Sequence, residues 1–171
     1  MSEAVLQRQG VLAYLDDESL AVLAPYGEVV ETRALETVIA EGSVNTRLYI
    51  VLAGMFNVST RAQGKEVLLD TVAPGDCLGE VALFTPDRAS ASVISLQAGK
   101  LWAIDAPRLQ DFLNDYPEAG CAAILGINVI LSRRLKKAND AIKFHEIVPG
   151  FLSVRAKHRA ETSKLGKFER K

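Results

Sequence analysis

Residues 11–24 read VLAYLDDESLAVLA. Leu12, Leu15, Leu20 and Leu23 recur at helical steps, and DDES interrupts them. That pattern predicts two short helical pieces, with Asp16 or Asp17 capping the second. From Gly27 to Asp105 the period changes. Apolar and β-branched residues gather in EVVETRAL, TVIA, RLYIVL, MFNVST, KEVLLDTV, ASVISL and KLWAID. Gly42, Gly54, Gly64, Pro74-Gly75, Gly79 and Gly99 stand between them. Short strands punctuated by turn residues at roughly 8–12-residue intervals indicate an all-β sandwich or barrel. AQGKE around Gly64 reads as a hairpin tip.

After Asp105 the pattern is helical again. Asp105 is placed to cap a helix with Pro107 in its first turn. Pro117 opens a longer helix, with apolar positions at Ile124, Ile127 or Val129, Leu131, Leu135, Ala138 and Ile142. Gly120 and Gly126 weaken its first half. From His145 onward charges and Pro149-Gly150 leave no strong period, the signature of a partly disordered tail. The expected architecture is mainly β with flanking helices. It is a β-roll or jelly-roll barrel with an N-terminal helical segment, one short helix within the strand region and two C-terminal helices. Residues 1–143 form the domain and residues 144–171 a basic tail.

A chain of 171 residues fits one domain, and 49% apolar content is that of an ordinary globular protein. No run reaches the roughly 18 apolar residues of a membrane span. The start, MSEAVLQRQG, lacks the basic and apolar parts of a secretory signal. A cytoplasmic protein is expected. Cys77, in a turn, and Cys121, in a helix, fit no metal spacing and read as reduced thiols; His145 and His158 have no ligand constellation around them. The net charge of −1 hides an asymmetry. Residues 142–171 hold eight Lys/Arg against three acids, a net of +5, so the rest carries −6. Such a tail suits an anionic partner or simply a solvated end.

Only LGEVALF breaks the strand pattern. Together with VIAEGSVNTRLYIVLAGMFNV, VAPGDCLGEVALF and SRRLKKAND, it makes the chain resemble the cyclic nucleotide-binding domain of bacterial catabolite-activator regulators, protein kinase A regulatory subunits and nucleotide-gated channels. The likeness runs from about Leu12 to Ile142. Gly42 and Gly54 keep the family's spacing around an aliphatic strand. Gly75 to Phe84 resembles its phosphate-binding cassette, with the short helix at Gly79 to Phe84. The resemblance implies cAMP or cGMP as ligand, and no cofactor. Glu80 would accept from the ribose 2′-hydroxyl. The amides of Gly79, Val81 and Ala82 would hold the cyclic phosphate and ribose, as free N–H groups at a helix start suit an anion. On the C-terminal helix, Ala138 and Asn139 fall at the base-contact positions; Asn139 offers both donor and acceptor. Phe144 follows as a stacking or packing residue.

The cassette's arginine is displaced. Aligned back from Val93 and Ala91, the family's arginine falls on Ala89, nine residues after Glu80, and Arg88 stands one residue early. Ser90 keeps the small-residue position. Either a bulge after Thr85-Pro86-Asp87 turns Arg88 inward, with Ser90 assisting, or strand alternation holds and Arg88 faces outward, leaving the pocket without its cation. The stripe Ile124, Leu131, Leu135 and Ile142 fits a homodimer seam or packing on the protein's own barrel. Only 29 residues follow Ile142, too few for the helix-turn-helix domain of many regulators, which argues against direct DNA binding. Nothing brings nucleophile, base and oxyanion donors together, so no enzyme is expected. Two functions remain open: a cyclic-nucleotide sensor acting on an effector protein, and a degenerate domain on the same fold that serves as an interaction module or takes another ligand.

Overall fold

A computed structural model of the chain describes residues 6–81 and 88–165, side chains from residue 143 onward excepted. A 3-10 turn (Gly10–Leu12), helix α1 (Asp17–Leu23) and a second 3-10 turn (Ala24–Tyr26) precede the strands. Of the two candidate caps, Asp16 is the one used: its carboxylate accepts from the Ser19 amide at 2.8 Å. Eight strands follow: β1 (Glu28–Thr32), β2 (Thr37–Ile39), β3 (Arg47–Ala53), β4 (Phe56–Ala62), β5 (Lys65–Val72), β6 (Cys77–Leu78), β7 (Ser92–Ser95) and β8 (Gly99–Asp105). Helices α2 (Ala106–Asp115) and α3 (Pro117–Leu165) close the described chain.

The β-roll takes the form of two four-stranded sheets, ordered β1-β8-β3-β6 and β2-β7-β4-β5, every pairing antiparallel. Ile39, Val51, Phe56, Val72, Leu78, Val93 and Leu101 come from both sheets and form one buried cluster, which places the core between them. Alternation along the central strands buries a second face. Leu48 and Ile50 of β3 pair with Ile104 and Trp102 of β8, all four nearly inaccessible. Helices cover that face: the Trp102 indole N–H donates to the Ala24 carbonyl at 3.2 Å, and α2 packs on β8. The hairpin tip falls as expected between β4 and β5, with Gln63 and Gly64 both left-handed.

Asp105 caps α2 through the Arg108 amide at 2.9 Å, with Pro107 in the first turn. Leu109 and Phe112 bury its inner face. Tyr26 stacks edge-on against Phe112, and its hydroxyl donates to Asp115 at 2.6 Å. That hydrogen bond needs the phenol's proton and, with desolvation and the carboxylate's charge adding to it, pushes the phenol up to about 12.

Helix α3 opens at Pro117 as the spacing predicts and is assigned to Leu165, well past Ile142, where the apolar period stops. Two compact units divide the chain at Ile130/Leu131. In the first, Ala123, Ile127 and Ile130 are the buried apolar side chains of α3, Gly120 and Gly126 are buried beside them, and Ile124 is half-buried. In the second, Leu131 is half-buried while Leu135 and Ile142 are exposed. Cys77, expected in a turn, lies fully buried in β6, and Cys121 is exposed; neither forms a disulfide. No described helix is long and apolar enough to cross a membrane.

Candidate functional site

The stretch before Glu80 is held by main-chain bonds to β3. The Gly75 amide donates to the Val51 carbonyl at 2.9 Å, and the Val51 amide donates to the Asp76 carbonyl at 2.9 Å. The Asp76 carboxylate accepts from the Ala73 amide, closing the turn at Pro74-Gly75. Cys77 and Leu78 then pair with Ile50 and Tyr49. Gly79 follows in the left-handed region, φ +73°, where a β-carbon would run into the Arg47 carbonyl oxygen and the Asn45 amide nitrogen. A glycine is required there on both counts. The chain turns helical at Glu80 and Val81. Glu80 is buried, 6% exposed, whereas Val81 is 53% exposed. A carboxylate is rarely taken out of water without a purpose, since its charge must be met by hydrogen bonds or a partner.

Ala82 and the Thr85-Pro86-Asp87 loop lie outside the described residues, as does Phe84, and so does the stretch where one of the two readings placed a bulge. The chain resumes at Arg88, and here alternation holds. Arg88 bridges to Val44, is exposed, and its guanidinium donates to the Gly42 carbonyl at 2.7 Å. Ala89 faces the other way and packs against the core cluster. Its amide donates to the Ser43 carbonyl and its carbonyl accepts from the Gly42 amide, each at 2.8 Å. These two bonds lock the direction in which the Ala89 side chain points. Ser90 is exposed. Asn139 is an exposed position of α3 in the second compact unit. Ala138 is likewise exposed. The side chain of Phe144 lies outside those described.

Of residues 42–47 the sequence marked only Gly42, as a turn and spacing residue, yet together they organise this site. Gly42 and Ser43 fasten Ala89, while Asn45 clamps the start of β3: its amide donates to the Arg47 carbonyl at 2.8 Å, against which Gly79 packs. The cue lay in EGSVNTR, a small polar cluster between two apolar runs, which reads as a mere loop without its tertiary partners. Tyr49 was also missed. It is half-buried beside the core cluster, and burial pushes its phenol up from the ordinary value, keeping it neutral and able to donate. Among the described residues no cluster of His, Cys, Asp and Glu has the makings of a metal site.

The sequence model of the cyclic nucleotide-binding domain matches residues 29–116, about half of the chain. The protein belongs to that family. This cyclic nucleotide-binding domain is 28% identical over 139 residues to the CRP-like cAMP-activated global transcriptional regulator of Mycobacterium tuberculosis, covering 81% of this chain and 60% of that protein. The chain thus spans about 60% of the length of that curated relative. It is also similar to the crystal structure of the N-terminal domain of a transcriptional regulator from Streptomyces coelicolor, with 34% identity, a TM-score of 0.65 and coverage of 81% and 95% of the two chains. The regulatory domain of Toxoplasma gondii PKA, solved with cAMP, matches at 29% identity and a TM-score of 0.57 over 66% of this chain and 43% of that one. The two solved relatives share this fold, in agreement with the resemblance and the jelly-roll architecture drawn from the sequence.

Proposed function

We propose that this domain is a cyclic-nucleotide sensor that takes a cyclic mononucleotide at the Gly79–Glu80 cassette and signals through its C-terminal helices. The observation that carries this reading is the buried Glu80 carboxylate, set directly behind a left-handed Gly79 at the start of a helical turn. Glu80 accepts from the ribose 2′-hydroxyl. The amides of Gly79, Val81 and Ala82 face the phosphate and ribose. Arg88 leaves the Gly42 carbonyl to neutralise the phosphate, with Ser90 beside it. Ligand shifts the helices toward the state it binds better, and only by that difference in affinity. The effector is a protein that reads the helix position. The exposed Leu135 and Ile142 offer a seam to a second copy of the chain.

One observation favours a second reading. The family's arginine position is occupied by Ala89, which faces the core, while Arg88 lies outside on Gly42. A phosphate bound there with no cation is poorly compensated. On that reading the domain is an interaction module, or takes a ligand other than a cyclic mononucleotide. Calorimetry with cAMP, cGMP and cyclic dinucleotides, repeated on Arg88→Ala, separates the two. Saturable binding to cAMP or cGMP that is lost in the variant supports the sensor. Absence of heat with all of them refutes it and leaves the module.

A further inference from the structure

The sequence alone marks Gly126 as a weak point in α3, yet the structure gives it a contact that no other residue could make. Gly126 lies against the main chain of the first 3-10 turn, and a β-carbon there would overlap the Val11 carbonyl oxygen. The same residue is engaged through the peptide unit that precedes it. The Val11 amide donates to the Gly75 carbonyl at 2.8 Å. Gly10, at φ +55°, lies so close to Gly75 that a β-carbon on it would overlap that carbonyl, and a β-carbon on Gly75 would sit 3.2 Å from Gly10. Gly75 is in turn bonded to Val51 and stands five residues before Glu80. Val11 and Leu12 are almost wholly buried, so water offers their peptide groups no substitute partners.

We propose that the Gly10–Leu12 turn is a strut that couples the lead-in of the cassette to the first half of α3. A glycine at each meeting point brings backbone against backbone, with no flexible side chain between them to absorb a displacement. A shift of Gly75 therefore moves the Val11 peptide, and α3 at Gly126 must follow or the contact must break. Packed backbone of this kind has few intermediate positions and passes small shifts on. The regulatory use of the strut rests on the sensor reading; the coupling itself does not, and is tested without ligand.

The measurement is residue-resolved hydrogen exchange on the full chain. Replacement of glycine by alanine favours a helix in isolation, so Gly126→Ala distinguishes the alternatives by sign. The strut predicts at least about tenfold faster exchange of the Val11, Gly75 and Val51 amides, with the β4–β5 hairpin unchanged, since loss of one packed contact opens one cooperative unit. Unchanged exchange at Gly75 and Val51, with slower exchange in α3, overturns it. Should that variant not fold, the wild-type chain in increasing denaturant provides the test. The three amides must lose protection together with α3 residues 123–130, and separate openings overturn the proposal. Added cAMP then probes the regulatory use: slowing at Gly75 and Val51 that extends to α3 supports it, and slowing confined to the cassette overturns it. Lack of cAMP binding counts against the sensor reading alone and leaves the ligand-free result standing.

Discussion

Ala89→Arg restores a cation at the cassette position that faces inward. The two main-chain bonds from Ala89 to Gly42 and Ser43 hold that position, so the new side chain starts out toward the core cluster rather than toward solvent. Without ligand the guanidinium crowds apolar neighbours and lacks a buried partner. Overpacking of this kind costs about 1–3 kcal/mol, and each kcal/mol moves the melting temperature by roughly 2–8 °C for domains of this size range. With a cyclic nucleotide bound, the same group meets the phosphate. Removing one member of a buried charge pair costs about 2–5 kcal/mol. Ala89 is only partly buried, so the gain belongs at the low end, where ~2 kcal/mol corresponds to about 30-fold in affinity. The expected result is a variant that melts lower when empty, binds cAMP about 30-fold tighter by calorimetry, and recovers its stability as ligand is added. A folded variant with the lower melting temperature but unchanged cAMP affinity would show that no phosphate reaches the face Ala89 occupies. The geometric account of the cassette would then be wrong.

Three further outcomes are expected. Phe56 is 0% exposed in the cluster between the sheets, so Phe56→Ala should cost about 3–5 kcal/mol in urea unfolding; a loss under about 1 kcal/mol means the sheets do not pack as described. Asp105→Ala removes the cap bond to the Arg108 amide and should lower stability by about 1 kcal/mol, seen as an earlier unfolding midpoint with unchanged slope. Asp16 accepts from Ser19, which lowers its carboxyl below the ordinary 3.8. Its contribution is therefore complete above that value and lost as pH falls through the lower folded-state value. The stability gap between wild type and Asp16→Ala should close in acid; a gap independent of pH down to complete protonation contradicts the cap.

The local chemistry of the chain was enough to set most of its elements. Asp16 and Asp105 are caps because a carboxylate there reaches an amide three residues on, a relation contained in a few adjacent residues. Gln63-Gly64 closes a hairpin for the same reason, and Pro117 begins a helix because it needs no amide partner. The turn at Gly79 and the helical start at Glu80 were legible too, since the two are neighbours in sequence. The extent of α3 past Ile142 was not, because the sequence there carries no strong period to detect.

Which way the cassette's cation points was decided only in three dimensions. Arg88 and Ala89 are adjacent, and either could face inward until the Gly42–Ser43 loop, more than forty residues earlier in the chain, bonds the Ala89 backbone. Gly126 reads as a helix weakness until Val11 is placed against it. Local propensity is a property of near neighbours, whereas facing and close approach are set by partners distant in the chain, which only folding brings together.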